Sequence, residues 1–258
     1  MDPLFSEFSY GYTVTEELAT GVLGFQKVRP LFPTQYQEAQ PGGGYDVNLP
    51  YSGAPMYLQF KRADGMIRTN AKEYHLFNDT YYRMHLMPPR YSPQHELLIH
   101  LKASGNDVYY ITPEFYTDEE LASYYDNRTV FFNSRTFSPS EIGHLSYDED
   151  HYVVYNNSPI AWICSEEPRR LEKSIRGRDF SEQIIVTTRQ KSRRVDESFF
   201  DKLIDTSINI LEKKTMIVDT LKQTSVRRKE IDTLSEKAIF ANFLSRAYFG
   251  CELFIVGE

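Results

Sequence analysis

Apolar and polar positions repeat with two different periods along this chain, and the periods divide it into short elements. "TVTEELATGVLG", residues 13–24, predicts a first helix. Thr13 or Thr15 can cap it, Glu16 and Glu17 stand where the helix dipole favours acids, and Gly24 can end it. "FQKVRPLFPTQYQEAQPGGG" is broken by Pro30, Pro33, Pro41 and three glycines. It predicts loop, with one short strand around 35–39. "YDVNL" and "PMYLQFKR" place β-formers on both sides of "PYSG", the pattern of a hairpin. A strand follows at 81–86. "SPQHELLIHLKASG", 92–105, predicts a compact amphipathic helix with Ser92 as cap, Pro93 at its first position and Gly105 as its stop. "DVYYITPEF" predicts a strand, and "TDEELASYYDN" a helix capped by Thr117. "TVFFNSRTF", "HYVVYN" and "IAWICSEE" predict three more strands. After Val195 the period becomes helical through 197–224 and again through 232–250, before the apolar tail "CELFIV". No internal repeat is visible. The whole predicts an α/β (α+β) core over 1–167 and a basic, mainly helical region over 168–258.

Composition narrows the function classes. With 258 residues, 41% of them apolar, the chain can bury a real core, and 14% aromatics suit β-structure. The net charge of -7 means that any nucleic-acid role needs a local basic patch. One exists: 168–194 holds nine basic residues against three acids. They are Arg169, Arg170, Lys173, Arg176, Arg178, Arg189, Lys191, Arg193 and Arg194, an electrostatic footprint for a phosphate backbone. Cys164 and Cys251 are too few for a disulfide framework or a cysteine-based zinc site, and two buried free thiols are expected. The first residues carry no basic and apolar signal pattern, and no apolar run approaches the roughly 18 residues of a span. A soluble, cytoplasmic protein with no membrane partner is expected. The two late helices have apolar stripes and little chain left to pack on. They are expected to cover the core, or to bind a second copy or a partner protein such as an ATPase.

Candidate chemistry sits in the predicted hairpin. Gln59 and Lys61, two residues apart on a strand, share a face, while Leu58 and Phe60 point to the core. Asp46 begins the paired strand and can lie beside them. An acid can hold Mg²⁺ or Mn²⁺ through oxygen, and a lysine can act on the nucleophile or on the phosphoryl group. Glu17 in the first helix is the choice for a further carboxylate. Its neighbour Glu16 points about a quarter-turn away, and Glu38 is the other candidate. Competing chemistries have less support. His95 and His100 are five apart and miss the two-histidine zinc spacing. There is no G-x-S-x-G, and "PGGGYD" lacks the G-K-[ST] of a phosphate loop.

Helix with Glu17, strand with Asp46, strand ending in Gln59-Phe60-Lys61, helix 93–104, then strand "VYYIT": this order resembles the PD-(D/E)xK, or restriction-endonuclease-like, superfamily in a variant with Q-x-K. The resemblance covers roughly residues 10–115. It implies a mixed sheet flanked by helices and metal-dependent cleavage of phosphodiesters, expected on DNA, in an anti-phage defence or restriction setting. It assigns Asp46, Glu17 and Gln59 to the metal and Lys61 to the nucleophile or scissile phosphate. Arg169, Arg170, Lys173, Arg176, Arg178, Arg193 and Arg194 are the expected nucleic-acid contacts. The alternative is the same fold without catalysis, kept as a nucleic-acid-binding module or a subunit of a larger complex.

Overall fold

The computed structural model describes residues 1–21, 52–165, 167–214 and 231–257. The first helix, α1, is Glu7–Ala19, six residues earlier than the sequence pattern suggests. Ser6 is its cap, accepting the Ser9 N–H at 2.9 Å, and Gly21, at φ 78°, follows its end in place of Gly24. Its buried stripe is Tyr10, Val14 and Leu18, spaced by four. Gly11 interrupts that stripe for a packing reason. A Cβ there would stand 2.9 Å from the Phe60 ring, so only glycine lets the helix approach the strand this closely.

Strand β1 (Ser52–Phe60) is the centre of a mixed sheet. It is joined in parallel to β4 (Asp107–Pro113) and antiparallel to the last strand, β11 (Glu252–Gly257). Both neighbours overlap Met56–Leu58, so they occupy opposite edges. Beyond β4 lie β5 (Ser134–Phe137) and β9 (Ile175–Arg176), while β10 (Arg193–Arg194) pairs with the start of β1. Every residue of β4 is buried, as expected of a strand covered on both faces.

The connection from β1 to β4 contains β2 (Asp64–Met66), β3 (Tyr81–Leu86) and α2 (Gln94–Ala103). The helix starts one residue later than the sequence suggests, with Pro93 in the cap position in place of Ser92 and no side-chain cap bond, while Gly105 adopts φ 90° just past its end as expected. Strands β2 and β3 belong to a second, antiparallel sheet, continued by β6 (His151–Tyr155), β7 (Ala161–Cys164) and β8 (Arg169–Leu171).

Two further helices, α3 (Asp118–Asp126) and the short α4 (Pro139–Ile142), flank β5 in the chain. Thr117 caps α3 as expected, and Glu120 completes a capping box with it. After β9 come α5 (Gly177–Lys191), α6 (Glu197–Lys214) and α7 (Leu234–Leu244). Helices α1 and α5 cover one face of the mixed sheet, where Tyr10, Val14, Phe180 and Ile184 pack with Leu58, Tyr109 and Ile111. Helices α2, α6 and α7 cover the other, and the second sheet joins that core through Tyr82, Met84, Val153 and Tyr155.

Both sheets draw strands from beyond residue 167: β8 completes one, and β9, β10 and β11 complete the other. The late helices cover the core, burying Phe199, Phe200, Leu203, Ala238 and Leu244. The predicted strand 129–137 is shorter, because its first residues form a turn held by α1. Cys164 and Cys251 are buried free thiols, as expected. No helix among the described residues is long and apolar enough to cross a membrane.

Candidate functional site

The C-terminal end of β1 carries the polar pair. Leu58 and Phe60 face α1, so alternation turns Gln59 toward α2. Gln59 is 3% exposed, and among the described residues its Oε1 meets no hydrogen-bond donor. Gln94, in the first turn of α2, donates from Nε2 to the Phe249 carbonyl at 3.2 Å. The two amides flank Gly250, which holds φ 63° after the π-turn Ser245–Phe249. A Cβ on Gly250 would overlap Gln94 Nε2 and lie 3.8 Å from Gln59 Nε2. Lys61 extends the parallel ladder, its N–H donating to the Ile111 carbonyl at 3.0 Å. Its charge reaches the buried Cys251 thiol, which burial and Glu252 push up and Lys61 pulls down.

On the other face of the sheet, Gly250 borders an open groove of about 410 Å³. Phe8, Tyr12, Phe60, Arg246 and Glu252 line it. Glu252 begins β11 opposite Leu58, and Arg246 Nε meets its Oε1 at 3.0 Å. Burial raises the Glu252 carboxyl above its usual range, and Arg246 draws it partly back. Sequence reasoning missed this pair. The signal was a lone acid in the apolar tail "CELFIV".

β11 also fills the place that the predicted hairpin reserved for the Asp46 strand. With β4 on one edge and β11 on the other, β1 has no free edge over Met56–Leu58. Asp46 and Glu38 themselves lie outside the described residues. Glu17 is not brought to Gln59. It lies on the opposite face of the sheet, with Oε1 accepting the Val130 N–H and Oε2 the Phe131 N–H, both at 2.8 Å. Burial raises its carboxyl, against the pull of those two amides and of Arg128. Both oxygens are therefore engaged in holding the 129–133 turn. Glu16 is half-buried and hydrogen-bonds Tyr125.

No protein-family model, curated protein or solved structure matches this chain.

The basic run is dispersed. Arg169 and Arg170 lie on β8, at the edge of the second sheet, and Arg169 donates to the Glu141 and Ile142 carbonyls. Lys173 and Arg178 are exposed. Arg176, on β9, is bound to Glu114 through Nε at 3.0 Å and Nη2 at 2.6 Å. Glu114 also holds the fully buried Arg135, whose Nε and Nη2 stand 2.8 and 2.6 Å from Oε1. Arg193 stacks over Phe199 at 4.8 Å, and Arg194 pairs with Ser52. Helix α5, about 22 Å long, separates this group from Arg178.

Two histidines are internal. His95 donates from Nε2 to the Gly143 carbonyl, leaving Nδ1 to accept the Tyr110 hydroxyl, each at 2.8 Å. His151 likewise donates to the Ser146 carbonyl at 2.9 Å and accepts from Ser165. Among the described residues no group of three or more His, Cys, Asp or Glu is disposed to hold a metal ion.

Proposed function

We propose that this protein is a metal-dependent phosphodiesterase of the restriction-endonuclease-like class, acting on DNA. The observation that carries the proposal is the β1–α2–β4 unit. A strand ending in Gln59-Phe60-Lys61 runs parallel to β4 through a connection that includes α2, with α1 on the opposite face.

Lys61, at the strand end, is the group that meets the nucleophile or the scissile phosphate. Mg²⁺ or Mn²⁺, when bound, supplies positive charge at the phosphoryl oxygen and acidifies a water. The Oε1 of Gln59, which meets no donor among the described residues, would supply one oxygen ligand to such an ion. Asp46 is the carboxylate of the proposed set. Glu17 does not fit, since the fold already engages both its oxygens. Arg170, Lys173 and Arg178, each exposed, are the cations proposed for the nucleic-acid backbone.

Purified protein incubated with plasmid DNA, or with RNA, and Mg²⁺ or Mn²⁺ tests this. Cleavage is expected on DNA, falling about 100-fold or more in Lys61→Ala and Asp46→Ala. Cleavage that survives both substitutions would remove the site assignment. The near-complete burial of Gln59 favours one second reading, a nuclease fold used only for binding. Salt-sensitive DNA binding with no cleavage under either metal would select it.

A further inference from the structure

Helix α1 presents a ridge of aromatic side chains to solvent. Phe8 is 80% exposed and Tyr12 55%. The groove on one side of that ridge is the one bordered by Glu252. A second groove, of about 330 Å³, lies on the other side, between α1 and α3, where Leu121, Ala122 and Tyr125 form its floor and far wall with Asp118. Large apolar side chains left this open are uncommon unless something covers them.

Among the described residues, the side chains lining this groove carry no positive charge. Neither α1 nor α3 contains a Lys or an Arg. Exposed Glu7, Asp118 and Glu119 surround the aromatics, and Glu16 hydrogen-bonds the Tyr125 hydroxyl. Arg128, just beyond α3, is turned to the Thr20 hydroxyl at 2.5 Å. The surface is thus aromatic at its centre and acidic at its rim. Electron-rich ring faces and a carboxylate rim both attract cations. The same field repels a phosphate backbone and an anionic lipid surface. It also disfavours a two-fold contact with a second copy, which would set like charges face to face.

We infer that the α1–α3 groove docks a cationic, amphipathic segment of a partner protein. Apolar side chains of the partner would fill the space between Tyr12 and Tyr125. Its Lys or Arg residues would meet Asp118, Glu119 and the ring faces. This lies on a different face of α1 from the groove at Glu252 and does not depend on nuclease activity.

The test uses the full chain and two fluorescein-labelled probes of one helical pattern, a Leu/Lys peptide and a Leu/Glu peptide. Fluorescence anisotropy should show binding of the Leu/Lys peptide, weakened by salt, and none of the Leu/Glu peptide. Ala122→Arg fills the groove and Asp118→Lys reverses its rim. Each should weaken binding about tenfold or more in a protein that circular dichroism shows to be folded. The inference is overturned if the Leu/Lys peptide does not bind, if the Leu/Glu peptide binds as well, or if neither substitution matters. Sedimentation velocity showing a dimer that Ala122→Arg dissolves would assign the face to a second copy instead. Co-sedimentation with phosphatidylserine vesicles, lost in Ala122→Arg, would assign it to a membrane surface. Either result also overturns it.

Discussion

Glu17 and Glu252 lie near the same sheet, both largely withdrawn from water, and they differ in what their oxygens face. Glu17 has one backbone N–H on each oxygen and looks into the fold. Glu252 meets Arg246 and borders an open groove. Burial raises both carboxyls, so perturbation alone does not tell a working acid from a structural one. What separates them is whether the fold has already satisfied the side chain. Glu114 extends the closed class, with each oxygen held by an arginine.

That contrast can be broken by substitution. Glu114→Ala should have the largest effect. It leaves the fully buried Arg135 without its counter-charge and should cost about 3–5 kcal/mol, read as a lower urea midpoint. Glu17→Ala strands two buried N–H groups and should cost about 2–4 kcal/mol. Glu252→Gln should change stability by less than about 1 kcal/mol, as a partly exposed ion pair would. If Glu252→Gln proved as damaging as Glu17→Ala, the distinction between closed and open acids would fail.

The pH dependence sharpens the same comparison. For a carboxyl whose folded pKa is raised, the native state binds more protons than the unfolded chain between the unfolded value, about 4.3 for Glu, and the raised one. Stability therefore falls as pH climbs through that window and levels off above it. Urea midpoints measured across it should flatten in both Glu17→Gln and Glu252→Gln. Only Glu17→Gln should also lower the midpoint at every pH, because its amide can accept one of the two N–H bonds and not both. His95 works in the opposite sense. Burial lowers its pKa, so stability is lost as pH falls through about 6.5, and His95→Gln should reduce that slope, the smallest of these effects.

Periodic segments were legible from the chain. Helix 94–103, strand 107–113 and the Thr117-capped helix agree because each carries its own start, stop and apolar period. What was illegible depended on distant partners. The start of α1 was obscured by Gly11, whose small size is explained only by the Phe60 ring. The turn at 129–133 looked like strand because the acid that satisfies its amides is more than 110 residues away. β11 could not be foreseen beside β1, since 192 residues separate Phe60 from Glu252. For the site, the Gln59–Lys61 spacing was visible and its shared face followed from alternation. That Glu17 would hold the 129–133 turn was illegible, because an acid in a first helix carries no sign of which amides it will meet. The basic run looked like one surface only while it was a line of text, and folding distributes it over two sheets and both ends of α5.

The most direct measurement compares two single substitutions in one plasmid-nicking assay with Mn²⁺, on proteins shown by circular dichroism to be folded. Lys61→Ala should lose cleavage while Glu17→Gln keeps it within about tenfold of the parent, since the latter residue holds a turn and not the reacting groups. Retained cleavage in Lys61→Ala, or its loss in a fully folded Glu17→Gln, would contradict the account.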